Sequence, residues 1–259
     1  MRQEAQKNLV RLNKAIAMSG LVSRRKADEL IRSGKVKINN KVVVNFNTKV
    51  SLSDKLEVNG KSLRAKNHHY LLFYKPRDCI TTMKDELGRK TIYEYLPKEF
   101  SYLKPVGRLD RDSEGLLLLT NDGDFINGVL HPKNNIKNTY VVTIDSGLTK
   151  SEADLIKNKL ISGVTINGSV SKVDSIEQIF FEHKQKVKQT VFEVVIHEGI
   201  NRQIRRMFQA LGYSVKGLKR IKIGPFSIKN LQRGKYIEID KKTAYGIIYS
   251  ENKNRFDRY

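Results

Sequence analysis

Four consecutive leucines, Leu116 to Leu119, follow directly on a loop dense in charges of both signs, Gly107-Arg108-Leu109-Asp110-Arg111-Asp112-Ser113-Glu114-Gly115. A continuous apolar run bounded by turn formers offers no polar face, so it reads as a strand buried on both sides of its sheet. This is the strongest constraint in the sequence, because the fold must then supply packing above and below that strand. After the leucines, Thr120-Asn121-Asp122-Gly123-Asp124 has turn chemistry and predicts a short helix over Phe125, Val129 and Leu130. A carboxylate in the preceding loop, Asp110 above all, is placed against the core with Arg108 and Arg111 on either side. Composition alone fits a solvated charged loop at least as well.

Charge narrows the partners. Lys and Arg total 49 against 27 Asp and Glu, a formal net charge of +22. A field of that sign points to a polyanion: RNA, DNA or an anionic membrane surface. No apolar run is long enough to span a bilayer. The first nine residues are polar and include Glu4, with no hydrophobic region of a signal peptide behind them. The single cysteine, Cys79, excludes an internal disulfide and a multi-cysteine metal site. Together these predict a soluble protein of a reducing compartment, the cytoplasm, with a nucleic-acid partner.

Read in order, residues 1–61 form a small module. Leu12 and Ile16, with Leu21, mark one short helix. Ser23 caps a second, Arg24 to Ser33, with Ala27, Leu30 and Ile31 on one face and Gly34 as its stop. Val36 and Ile38, the Asn39-Asn40 turn, and Val42 to Val44 predict a hairpin, and Leu56 with Val58 one more strand. Arg24, Arg25, Lys26, Arg32, Lys35 and Lys37 crowd the polar face of the second helix and its exit. Residues 62–69 read as a linker. Residues 70–245 form a second domain, opened by a strand over Tyr70 to Tyr74, and 246–259 a basic C-terminal tail. Thr149 with Glu152 predicts a capping box for a helix through Leu160. Val164 to Val170, turning at Asn167-Gly168, is a hairpin signal. Thr139 to Ile144, Ile176 to Phe181 and Val191 to Ile196 read as strands, with Tyr140, Val142 and Ile144 sharing a face. Without strict strand–helix–strand alternation the domain is α+β, on a largely antiparallel sheet.

The stretch His197 to Phe208 predicts a helix capped by Asn201, with Ile204, Met207, Phe208 and Leu211 as the buried stripe. Arg202 and Arg206 then face solvent or RNA, and Arg205 lies on the shoulder, where a half-desolvated guanidinium wants a carboxylate. Between Glu198 and Glu238 no acidic residue occurs, so Lys216, Lys219, Arg220, Lys222 and Lys229 are expected to extend one basic surface.

Two resemblances organise these observations. Arg11-Leu12-Asn13-Lys14, Ser23-Arg24-Arg25-Lys26-Ala27 and Gly34-x-Val36-x-Ile38-Asn39 resemble the S4 RNA-binding module, which implies that Arg24, Arg25, Lys26 and Lys37 touch RNA phosphates. Gly107-Arg108-Leu109-Asp110, with Ser113-x-Gly115 running through the leucines to Gly123, resembles the signature loop of the RsuA/RluB family of rRNA pseudouridine synthases. So do Arg202-Gln203-Ile204-Arg205-Arg206 and Leu218-x-Arg220-x-x-Ile223-Gly224. The resemblance implies isomerisation of a specific rRNA uridine, closest to the large-subunit branch, with neither metal nor cofactor because the reaction has no net redox change. It makes Asp110 the nucleophile, pairs Arg205 with it, stacks Tyr140 on the base, and puts Arg108 in the gap left by the extruded uridine. Arg202, Arg206 and Arg220 are assigned to RNA binding, and the chain is expected to act as a monomer. Three positions depart from the family: Asp78 for glycine in Lys75-Pro76-x-Gly, Asn138 for lysine before Thr139-Tyr140, and Ile200 for arginine. Asp is among the residues that best tolerate the positive φ that glycine allows.

Other chemistries are poorly served. The five histidines show no zinc-ligand spacing, and neither a phosphate-binding loop nor a dinucleotide fingerprint is present. Cys79 follows an aspartate, which disfavours a nucleophilic thiol. Asp110 with Asp112 or Glu114 stays open as an acid–base pair. A non-catalytic rRNA-binding or ribosome-assembly factor on the same scaffold is the alternative from another class; a nuclease would want clustered metal-binding carboxylates.

Overall fold

The computed structural model describes residues 9–51, 53–63, 67–179 and 189–256, the side chains of 249–256 apart. Outside these lie the first eight residues, residue 52, 64–66 of the expected linker, 180–188 with the end of the expected strand at 180–181, and 257–259 of the expected tail. The chain divides into two compact units, one holding residues 1–68 with 121–123, the other 69–120 with 124–259.

In the first unit, β1 (Leu9–Arg11) leads into α1 (Leu12–Met18), followed by α2 (Arg24–Arg32). Ser23 accepts a hydrogen bond from the Lys26 backbone N–H at 3.2 Å, as an N-cap should. Strands β2 (Val36–Ile38) and β3 (Lys41–Val42) pair across Asn39 and Asn40, whose φ angles of 48° and 69° give the two left-handed residues of a type I′ turn. The returning strand is shorter than the expected run to Val44, and Leu21, beyond the end of α1, is exposed rather than packed. With β4 (Lys49–Ser51), β5 (Leu56–Val58) and β6 (Lys61–Ser62), the unit closes a core of Leu12, Ile16, Ala27, Leu30, Ile31, Val36, Val50, Leu56 and Val58. Arg24, Arg25, Lys26, Arg32 and Lys37 are all exposed. Lys26 reaches Glu29 at 2.6 Å, a surface pair of small energetic weight.

The second unit is built around β7 (Tyr70–Lys75) and β9 (Glu114–Thr120), joined antiparallel with Phe73 opposite Leu117. Short β8 (Lys104–Val106) pairs with the other edge of β9. Alternation splits the leucine run between two cores. Leu116 and Leu118, with Tyr70, Leu72 and Tyr74, face α3 (Gly123–Leu130) and the start of α6 (Lys241–Phe256). Leu117 and Leu119, with Leu71 and Phe73, face the segment carrying Ile92, Leu96, Phe100 and Leu103. All four leucines are at most 3% exposed, the doubly buried strand that the sequence demanded.

Beyond β9 the sheet continues through β15 (Val215–Ile223), β10 (Asn138–Ile144), β14 (Thr190–Ile196) and β13 (Ser175–Ile179), while β17 (Tyr236–Ile239) pairs with β7 and β16 (Phe226–Ser227) with β15. Among the described strand pairs of this sheet, β9 with β15 is the parallel one, and the rest are antiparallel, so the architecture is α+β as expected. A third core lies under α4 (Lys150–Ser162), the hairpin β11 (Val164–Ile166) and β12 (Ser169–Ser171), and α5 (Gln203–Ala210). The Thr149–Glu152 capping box forms in both directions. Helix α6 runs across the position at which the sequence placed the start of a tail.

Candidate active site

The loop from Gly107 to Ser113, between β8 and β9, is held at nearly every residue. Gly107 has φ 76°, and a Cβ there would come within 3.3 Å of Leu130. Thr81 clasps Leu109 from both sides, its Oγ1 donating to the Leu109 carbonyl at 2.8 Å and accepting from its N–H at 3.3 Å. The Asp78 N–H donates to the Arg111 carbonyl at 2.8 Å, and Asp78 takes φ 63°, the left-handed conformation a glycine would supply. At the loop's exit Gly115 is required by proximity: β9 and β15 run side by side there, and a Cβ on Gly115 would fall 2.1 Å from the Arg220 carbonyl oxygen.

Beneath the loop sits Lys75, with no exposed surface. Its ammonium donates to the carbonyls of Pro76 at 3.0 Å, Asp110 at 3.0 Å and Ser113 at 2.8 Å, which uses all three of its N–H bonds. Burial pushes its pKa down, opposed by the negative fields of the carboxylates of Asp110, Asp112 and Asp78. Sequence reading gave Lys75 no role, although a lysine closing an otherwise apolar strand is a visible signal that its ammonium has a buried task.

Two expectations for the arginines need correction, those for Arg205 and Arg220, and Arg202 does more than expected. Arg205, 10% exposed at its side chain, pairs with Asp112 rather than Asp110, its Nη2 lying 3.1 Å from the Asp112 carboxylate. It also donates from Nη2 to the Asp112 carbonyl at 3.1 Å and to Ser113 Oγ at 3.4 Å, and from Nη1 to the Val215 carbonyl at 2.8 Å. It acts on the loop's backbone, which a helical wheel does not show. Arg202 is exposed, as expected of a residue facing solvent or RNA, and it is also the guanidinium that reaches Asp110, at 3.4 Å, and bridges to Asp112 at 3.3 Å. It does so because α5 begins one residue later than predicted. Arg202, not Asn201, is the N-cap, at φ 52° and without a side-chain cap, and Asn201 instead accepts from Arg206 at 3.2 Å. Arg220, expected on a basic surface, is 6% exposed, and its Nε donates to the Leu116 carbonyl at 2.8 Å.

Electrostatics follow the geometry. Burial acts to raise the Asp112 pKa, but the Arg202 hydrogen bond and the charges of Arg205 and Arg202 outweigh it and hold the carboxyl below its ordinary value. Desolvation pushes the Arg205 pKa down, against the pull of Asp112. Asp110 keeps its side chain 34% exposed.

That side chain opens on a cavity of about 500 Å³ lined by Asp110, Arg108, Tyr140, Asn138, Arg202, Gln203 and Arg220, with Val106, Leu130, Ile136, Ile204, Leu218 and Ile223 as apolar wall. Arg108 is exposed at its edge. Tyr140, half-buried, sits where the register of β10 against β15 shifts between Thr139 and Tyr140, an irregularity of the kind that re-aims a side chain beside an active site. The cavity thus joins the Asp110 and Glu198 carboxylates, a tyrosine, several guanidiniums and the polar groups of Asn138, His197 and Gln203 to an aliphatic wall, a composition suited to an aromatic ligand with many polar atoms, such as a nucleotide.

Residues 69–210 match the model of the RNA pseudouridylate synthases, and residues 10–56 that of the S4 domain. The chain belongs to the RNA pseudouridylate synthase family, enzymes that isomerise uridine in RNA, and carries an S4 domain ahead of the synthase domain. It is similar to the ribosomal large subunit pseudouridine synthase B of Bacillus subtilis, 40% identical over 224 residues that cover 86% of this chain and 89% of the relative. The protein of that name from Vibrio cholerae is 33% identical, over 90% of this chain and 72% of the relative. Among solved structures, a pseudouridylate synthase superposes with a TM-score of 0.62 at 27% identity, covering 92% of this chain and 99% of the other.

Proposed function

We propose that this enzyme converts a specific uridine of large-subunit rRNA to pseudouridine, with Asp110 as the nucleophile. The rRNA assignment is supported by the names of its relatives from Bacillus subtilis and Vibrio cholerae. The observation that carries the nucleophile is the placement of Asp110: a carboxylate part-open to a cavity, on a loop clamped by Lys75, Thr81 and Arg205. Mere RNA binding gains nothing from a carboxylate facing a phosphate-rich ligand.

The uridine enters extruded from its stack, since the ring must detach and turn within the site. Tyr140 stacks on the base, and Arg108 at the cavity edge fills the place the base has left. An Asp110 oxygen then attacks ribose C1′ or the uracil ring, and either route requires the ionised carboxylate. Arg202, 3.4 Å away, points its oxygen. Arg205 is a positioning residue, holding the Asp112 carbonyl and the Ser113 hydroxyl and through them the bearing of Asp110. The enzyme works as a monomer, and its S4 unit contributes phosphate contacts from Arg24, Arg25, Lys26 and Lys37.

The test is pseudouridine formation in rRNA, read as release of label from uridine tritiated at C5, which loses that hydrogen when the carbon–carbon bond forms. Asp110→Asn, nearly isosteric, should bind RNA normally and release no tritium, because a neutral amide cannot form the covalent bond. Turnover by Asp110→Asn would remove the nucleophile assignment. Tight binding by the wild type without isomerisation in any rRNA would favour the assembly-factor reading.

A further inference from the structure

Arg220 is left unexplained by these roles. It lines the catalytic cavity, yet it is 6% exposed, and the one hydrogen bond its guanidinium makes among the described residues is from Nε to the Leu116 carbonyl. No carboxylate among the described residues lies within ion-pair distance of it, and its Nη2 is buried with no hydrogen-bond partner. A guanidinium has five N–H donors, and an unpaired buried charge is among the costliest features a fold can keep. Arg202 and Arg205 have acidic partners, and Arg108 is exposed at the cavity edge. Among the described residues that line the cavity, Arg220 is therefore the buried cation without an acidic partner, and a partner can arrive with the substrate.

The depth of the residue indicates which part of the substrate that is. A nucleotide extruded into a cavity keeps its phosphates at the rim, within reach of exposed cations, and sends its base inward. The position of Arg220 on β15 agrees, since its register partner on β10 is Tyr140, so the two side chains share a sheet face.

We propose that Arg220 donates to a ring carbonyl oxygen of the target uracil and stabilises the negative charge that the ring acquires during the reaction. The proposal rests on the reading that Asp110 attacks the uridine in this cavity. If Asp110 bonds to C1′, the C1′–N1 bond breaks and its electron pair stays on the ring, shared among N1, O2 and O4. If Asp110 bonds to C6, the electron pair of the C5–C6 double bond moves onto C5 and, by conjugation, O4. Both routes end with a C5–C1′ bond, the carboxylate released, the C5 hydrogen lost as a proton and a proton gained at N1, with no oxidant or reductant. A preorganised donor aimed at charge that develops in the transition state acts on turnover far more than on binding.

The experiment uses the full chain and an rRNA transcript tritiated at uridine C5. Arg220→Met should lower the single-turnover rate by about 100- to 1,000-fold, the usual effect of removing one such donor, while the Kd for the transcript stays within about threefold. Added guanidinium should restore part of the rate to Arg220→Ala, a rescue that a merely misfolded variant would not show. On a synthetic hairpin carrying the uridine that the wild type is first shown to modify in rRNA, replacing O2 or O4 by sulfur should slow the wild type. The same replacement at the contacted oxygen should cost Arg220→Met little more. Near-normal turnover of Arg220→Met, a loss of rate matched by an equal loss of affinity, or full additivity with both sulfur substitutions would each overturn the proposal. Failure here with an inactive Asp110→Asn leaves the nucleophile assignment standing, whereas an active Asp110→Asn sinks that assignment whatever Arg220 does.

Discussion

The sequence leaves Asp112 open as an acid–base partner of Asp110, and the structure makes it the anchor of two guanidiniums. Replacing it should therefore not be silent. Asp112→Asn frees Arg205 from its counter-charge and lets Arg202 draw Asp110 alone. Turnover should fall by roughly tenfold, about 1.4 kcal/mol in the barrier, against complete loss for Asp110→Asn, and tritium release by the two variants separates these outcomes. The variant also reports on stability. Because the native pKa of Asp112 is lowered from 3.8, its stabilising pair is complete above that value and is lost as pH falls through the lower native one. Wild type should thus melt above Asp112→Asn at neutral pH, and the gap should close below about pH 4. A gap that persists into that acid range would mean the Asp112 pairs are not what stabilises the loop. Arg205→Met, which removes the charge but keeps the aliphatic stem, should slow turnover while RNA affinity falls only modestly, and a variant with normal turnover would show that its grip on the loop backbone is dispensable.

Strand β9 is the element on which the site depends, and its two ends show what a sequence does and does not disclose. The leucine run was legible because burial on both faces leaves a local mark, four apolar residues with no polar alternation. The capping box at Thr149 and the Asn39-Asn40 turn were legible for the same reason, since cap and turn chemistry act within four residues. The parallel pairing of β9 with β15 was not, because it joins Gly115 to Arg220 across more than a hundred residues and leaves one glycine as its only trace. The same distance hid the burial of Arg220 and the exchange of arginine partners around Asp110 and Asp112. Two substitutions probe the strand separately. Leu117→Ala, at 0% exposure, should destabilise the synthase unit by about 2–5 kcal/mol, read from denaturant midpoints, without changing the Kd for RNA where the protein stays folded. Gly115→Ala should be worse for its size. Its Cβ would collide with the Arg220 backbone and φ is 118°, so β15 must move off β9 and take Arg220 out of the cavity. Loss of tritium release by a still-folded Gly115→Ala is the expected result, and ordinary activity there would contradict the described approach of the two strands.

At the scale of the molecule, +22 of formal charge is carried by two units whose apolar cores are separate: Leu12 to Val58 in one, and clusters drawn wholly from residues beyond 69 in the other. Separate cores imply that the synthase unit folds without the first, and separate functions imply that the two units contribute differently to RNA affinity. The first offers exposed Arg24, Arg25, Lys26 and Lys37, cations suited to phosphates. The second offers a cavity for one nucleotide. Removing residues 1–68 should therefore leave a cooperative melt and an intact response to Asp110→Asn, while the rRNA transcript binds less tightly. The loss should be electrostatic in kind. Each phosphate contact given up lowers the slope of log K against log salt by roughly 0.7 to 0.9, so a truncated protein that has lost three contacts shows a slope shallower by about two to three. Charge-by-charge replacement of Arg24, Arg25 and Lys26 with alanine in the full chain should reproduce that change in single steps. At high salt, where the phosphate term is screened away, full-length and truncated proteins should converge in affinity. Convergence in single-turnover rate once each is saturated with RNA would place the first unit in capture of the substrate. A truncated protein whose saturated rate is also lower would show instead that the unit helps to present the uridine, and unchanged affinity and slope would remove it from RNA binding altogether.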